Sequence, residues 1–128
     1  MTRRYLLEQI DDAAVVQYYA DGFNALPVDQ KILTWHLYQA ALAGRDIYYD
    51  QRYNPSLAMR EILEEILTHS TPWPDALAGV LAEIRRYTKL FWVNSGPFNN
   101  LTARKFLLRL PAEALVAAAE AAAAAGAR

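Results

Sequence analysis

The sequence predicts an all-α fold: a small domain of about three main helices plus an alanine-rich C-terminal helix, preceded by an irregular or extended N-terminal segment. Three observations lead there. Apolar residues recur three or four apart in three blocks, helix-starting and helix-stopping residues frame each block, and the last block is nearly pure alanine. A chain of 128 residues fits one domain and can bury about two thirds of the surface its unfolded form exposes.

From Tyr5 to Tyr19 the pattern is mixed. Tyr5, Leu6, Leu7 and Ile10 suit one helical turn, whereas Val15 to Tyr19 favours an extended segment through its β-branched and aromatic residues. Asp21-Gly22 reads as a turn, with Phe23 and Leu26 plugging it onto the core.

The first secure helix is predicted from Pro27 to about Ala43. Asp29 meets the helix dipole, Gln30 reaches back to the entry and Gly44 closes the far end. Its buried stripe is Ile32, Leu33, Leu37, Ala40 and Ala41, with His36 within it as a core or boundary histidine. Gly44 to Tyr53 then reads as a loop in which Arg45, Asp46, Asp50 and Arg52 either pair among themselves or wall a cleft. Two aspartates four residues apart are only a weak sign of a paired-carboxylate site, which needs a set separation and differing environments.

Asn54 as N-cap and Pro55 at the first helical position open the second helix. It carries Met59, Ile62, Leu63, Ile66 and Leu67 on one side and ends near His69, a helix-dipole partner or an exposed residue. Pro72-Trp73-Pro74 is a stiff joint. The third helix, from about Pro74 to Val93, buries Leu77, Val80, Leu81, Ile84, Tyr87 or Thr88, and Phe91, leaving Glu83, Arg85, Arg86 and Lys89 on its wet face. Pro111 opens the final helix through Ala125, which has strong helix propensity but little apolar surface and should dock only weakly. The ending Gly126-Ala127-Arg128 looks like an interruption, so a piece of a longer polypeptide is expected, with a helical segment over 1–110 and a truncated helix over 111–128.

Between the third and last helices lies the stretch that secondary structure alone does not require. Asn94-Ser95-Gly96 can end a helix because Gly accepts the left-handed conformation, and Pro97 forbids continuation. Geometry does not explain why Asn99, Asn100, Thr102, Arg104 and Lys105 follow at once beside Phe91, Trp92, Phe98 and Phe106. The candidate polar residues of a cleft or hinge are therefore Arg45, Asp46, Asp50, Asn94, Ser95, Asn99, Asn100 and Lys105, with Arg45 and Asp46 as a buried bracing pair. Loop turns and helix capping are the competing explanation for the asparagines.

Composition narrows the classes of function. With 13 Lys+Arg against 14 Asp+Glu the net charge is -1, which gives no support to a nucleic-acid or anionic-membrane surface. Arg85, Arg86 and Lys89 then read as a solvated helix face rather than a phosphate patch. The absence of cysteine excludes disulfides and thiolate metal sites. Met1 to Arg4 is followed by too few apolar residues for a signal peptide or membrane span, so with Met1 as native start the cytoplasm is expected. There is no HExxH, P-loop, GxGxxG or GxSxG motif, and the two histidines are far apart. No catalytic, cofactor-binding or metal-ligating residue is expected in the chain. A hydrophobic fraction of 54%, above the ~45–50% usual for soluble domains, includes 8 Tyr and 3 Trp and suggests a sticky surface.

Several runs resemble a known family: Ala20-Asp21-Gly22-Phe23, Leu26-Pro27, Gln30-Lys31-Ile32-Leu33, Leu37 to Ile47 with its Gly44-Arg45-Asp46, Asp50-Gln51, and Tyr87 to Gly96 followed by Lys105-Phe106. In order and spacing they are similar to the N-terminal region of the dipeptidyl peptidase III family, especially its bacterial members, from about Val15 to Leu110. The resemblance implies a two-lobed zinc-dependent peptidase that removes dipeptides from peptide N-termini. Its HExxGH motif and later glutamate lie beyond the matching region, so no catalytic or metal residue carries over. What carries over is a helical scaffold, inactive alone, whose partners are the remainder of the peptidase and, through it, an oligopeptide substrate. The alternative is a free-standing helical module that binds a protein or a second copy of itself through exposed aromatics. A third reading, a small-molecule binder, would call for a closed apolar pocket near Trp35 or Trp92.

Overall fold

The computed structural model describes residues 3–71, 73 and 77–128. They form a mostly helical chain with one two-stranded sheet, and they divide into two compact units, residues 1–48 and 49–128. Among the described residues no helix is long and apolar enough to cross a membrane.

The first unit begins with an antiparallel hairpin, β1 (Leu6–Ile10) and β2 (Ala13–Val16), so the mixed pattern around Tyr5 resolves as extended. Asp11-Asp12 is a short hairpin turn with Asp11 left-handed at φ 52°, which aligns Ile10 with Ala13 and lets pairing outcompete a single isolated turn. Gln17 and Tyr19 reinforce the open end, both donating to the Arg4 carbonyl. The following 3-10 turn, Asp21–Ala25, is held by Arg3, whose guanidinium lies 2.6 Å from the Asp21 carboxylate. Phe23 is exposed and Leu26 half-buried, so Phe23 is no plug.

Helix α1 spans Val28–Arg52, 25 residues, running through Gly44 without a break. A mid-helix glycine costs only about 1 kcal/mol, and burial of Tyr49 at the far end more than offsets it. The expected loop from Gly44 to Tyr53 is therefore helix up to Arg52. The expected buried stripe is also absent: Ile32, Leu33 and Leu37 are 53%, 58% and 61% exposed, and His36 is exposed rather than a core residue. Tyr49 is the one buried residue of α1.

The second unit packs the last turn of α1 with α2 (Ser56–Thr68), α3 (Ala78–Asn94) and α4 (Ala112–Ala124). Pro55, not Asn54, takes the N-cap position of α2, and no side chain caps it. Pro72, Pro74 and the expected start of α3 at Pro74 lie outside the described residues. The core joins Leu63 and Ile66 of α2 to Ile84, Tyr87 and Phe91 of α3, with Tyr49 stacked on Phe91 at 6.0 Å between ring centroids. The spacing of these residues is the 3.6-residue period that places i, i+3 and i+4 on one face. Helix α4 packs closely through Ala118 and Ala122, at 0% and 1% exposure, although such small side chains bury little apolar surface.

Candidate functional site

The polar stretch after α3 is built from its cap outward. Gly96 N–H donates to the Phe91 carbonyl at 3.0 Å and Ser95 N–H to Trp92 at 3.3 Å, which satisfies carbonyls that the helix end leaves open. The left-handed residue is Ser95, at φ 52°, rather than the expected glycine. Gly96 follows at φ 143°, and a Cβ there would lie 3.3 Å from the buried Ser56 Oγ. The positive φ favours glycine here, and the tight approach to Ser56 adds to that preference.

Beyond the buried Pro97 the chain closes a narrow turn. Phe106 N–H donates to the Pro97 carbonyl at 2.8 Å, Phe98 bridges Lys105, and Asn99 N–H donates to the Arg104 carbonyl at 2.8 Å. The Asn99 side-chain oxygen accepts from the backbone N–H groups of Leu101 and Thr102 at 2.9 and 3.0 Å, a side-chain turn of the kind asparagine favours. Asn94, only 6% exposed, donates through Nδ2 to the Leu90 carbonyl and accepts the Asn100 N–H through Oδ1, both at 2.9 Å. Its own carbonyl accepts from Arg52 Nη1 at 3.2 Å, fixing the end of α1 to the end of α3.

The structure thus gathers Asn94, Ser95, Asn99, Asn100 and Lys105 into one loop but divides their tasks. Asn94 and Asn99 spend hydrogen-bonding capacity holding the loop together, while Asn100 and Lys105 stand exposed on it. Arg45, Asp46 and Asp50 occupy exposed positions on α1. Arg45 Nε lies 3.4 Å from Asp46 Oδ1, but their side chains are 65% and 50% exposed, so the pair is not buried. The chain matches no protein-family model and no curated protein.

Sequence reasoning missed the polar anchor on the other side of the loop. Arg86 donates to both carboxylate oxygens of Glu83 at 2.7 Å and to the Leu107 carbonyl at 3.1 Å; Glu83 Oε1 also accepts the Arg109 N–H at 2.7 Å. Glu83 and Arg86 are therefore half-buried, not the wet face of α3. The Arg86 hydrogen bonds hold the Glu83 carboxyl below its ordinary range against the opposing effect of burial. The i, i+3 spacing of Glu83 and Arg86 was the available signal, but the segment they clamp is distant in sequence.

Between this anchored segment and the helices lies an apolar cavity of about 330 Å³; the space beside Trp92 is a separate, open depression with Glu64 and Thr68 in its walls, not the closed apolar pocket that the small-molecule reading calls for. Its walls include Met59 and Leu63 of α2, Tyr87 of α3, Leu115 of α4, and Phe106 and Leu108 of the connecting segment, with Lys105 contributing the one charged side chain. Burial raises the Tyr87 phenol above its ordinary pKa, which keeps it protonated. Among the described residues no group of three or more His, Asp or Glu is arranged to hold a metal ion.

Proposed function

We propose that this chain is a helical scaffold segment of a dipeptidyl peptidase III-like zinc peptidase, working in the cytoplasm and inactive by itself. The observation that supports this reading is α1. A long helix exposing Ile32, Leu33, Trp35, Leu37 and Ile47 is shaped to be covered, and the family resemblance names the rest of such a peptidase as what covers it. The loop after α3 then braces the helices beside the substrate cleft, with Asn100 and Lys105 facing outward. The chemistry of peptide cleavage belongs to the remainder of the protein.

A second reading has its own support. Trp35, Tyr38 and Tyr48 are 59%, 54% and 53% exposed on the same helix, a composition suited to a free-standing protein-interaction module.

A mixing experiment separates the two. The chain with zinc is expected to leave a dipeptidyl arylamide intact. Addition of the separately produced zinc-bearing portion of a dipeptidyl peptidase III should give a stoichiometric complex with protection of α1 amides from exchange. Turnover by the chain alone, or no association with that portion, would overturn the first reading.

A further inference from the structure

The cavity against α2, α3 and α4 has a chemistry of its own. It is a concave space of about 330 Å³, at the lower end of the volumes that hold small ligands. Apart from Lys105 its lining is apolar or aromatic, and the Tyr87 phenol is the only hydroxyl that the lining residues carry. Lys105 is exposed, so its methylenes can lie along the wall while its ammonium stays in water at the mouth. Among the described residues no carboxylate pairs with Lys105, whereas the neighbouring Arg86 is already bound through both Glu83 oxygens. The mouth therefore offers one unneutralised positive charge above a greasy interior.

We propose that this cavity binds a small apolar carboxylate, of medium-chain fatty-acid type, with its hydrocarbon between α2, α4 and the Phe106–Leu108 wall and its carboxylate at Lys105. This inference stands apart from the peptidase reading and does not depend on it. A phosphate or polyanion would call for several convergent cations or backbone N–H groups, and the cavity supplies one ammonium. A cationic ligand would meet Lys105 unfavourably. A neutral hydrocarbon would fill the interior but leave the charge at the mouth unused.

Titration of the native chain with hexanoate, octanoate and decanoate, below their micelle concentrations and at low salt, tests this by calorimetry and by amide shifts. Affinity should rise about fourfold for each methylene buried and level off once the cavity is full, with shifts centred on Leu63, Tyr87 and Leu115. Octanol should bind about fivefold more weakly than octanoate, and Lys105→Met, at an exposed position, should erase that preference without affecting the fold. Leu115→Trp should block binding, and the native-chain series decides the matter without it. Absence of binding, shifts centred elsewhere, or equal affinity for octanol and octanoate would overturn the proposal. So would concentration-dependent protection of the same residues without ligand, which would make a second copy of the chain the occupant.

Discussion

Ser56 and Gly96 meet inside the second unit, where a Cβ at position 96 would press against the serine hydroxyl of α2 at 3.3 Å, a contact tight enough to need a shift of a few tenths of an ångström. Ser56 is fully buried, and its Oγ has no hydrogen-bond partner among the described residues. Gly96→Ala is expected to destabilise the fold by about 1–2 kcal/mol through its positive φ and this contact. Ser56→Ala removes an unsatisfied polar atom and should be nearly neutral. In the double variant the steric part of the Gly96→Ala loss is relieved while the backbone part persists, a coupling that urea unfolding of all four proteins would measure.

Gly44 should respond in the opposite sense. It lies within α1 and a Cβ there would meet nothing within 4 Å. Gly44→Ala is expected to raise helical content and stabilise α1 by about 0.5–1 kcal/mol, read by circular dichroism and by slower amide exchange between Ala41 and Tyr48.

Asn94 carries the polar loop, whereas Asn100 only borrows from it. Asn94→Ala leaves the Asn100 N–H without its acceptor and is expected to cost about 1–3 kcal/mol, with faster exchange at that amide. Asn100→Ala, at an exposed position, should stay within about 0.5 kcal/mol. Equal losses from the two would refute this division.

The Glu83 anchor makes stability depend on acid. Because the folded protein holds this carboxyl below its ordinary 4.5, the unfolded chain takes up a proton first as pH falls. The contribution is fully present above about pH 5 and is lost as pH drops through the folded value. Glu83→Gln should flatten that part of the stability curve and lower stability at neutral pH by about 1.5–3 kcal/mol. Urea midpoints measured from pH 3 to 7 test both effects.

Local pattern made α2, α3 and α4 legible in the sequence, because Leu63, Ile66, Ile84, Tyr87 and Phe91 carry a helical period that burial reinforces. The end of α1 was not legible. Gly44 resembles a stop signal, and the contacts that hold the continued helix are distant in sequence: Tyr49 on Phe91, 42 residues away, and Arg52 on the Asn94 carbonyl. The exposed face of α1 was misread for a related reason: periodicity shows that a face is apolar and says nothing of whether this chain covers it. In the candidate loop, residue types pointed to hydrogen bonding at Asn94 and Asn99, yet the partners turned out to be backbone groups a few residues away. The Glu83 clamp escaped because its backbone acceptors and donors, at Leu107 and Arg109, leave no trace in side-chain identity.

Ala118 and Ala122, one turn apart on α4, act as a gauge for the gap between helices. Methyl groups set the closest approach of two backbones, so drift at these positions is hemmed in from both directions. A larger side chain would wedge the bundle open, and glycine would narrow the gap only by loosening the helix that measures it.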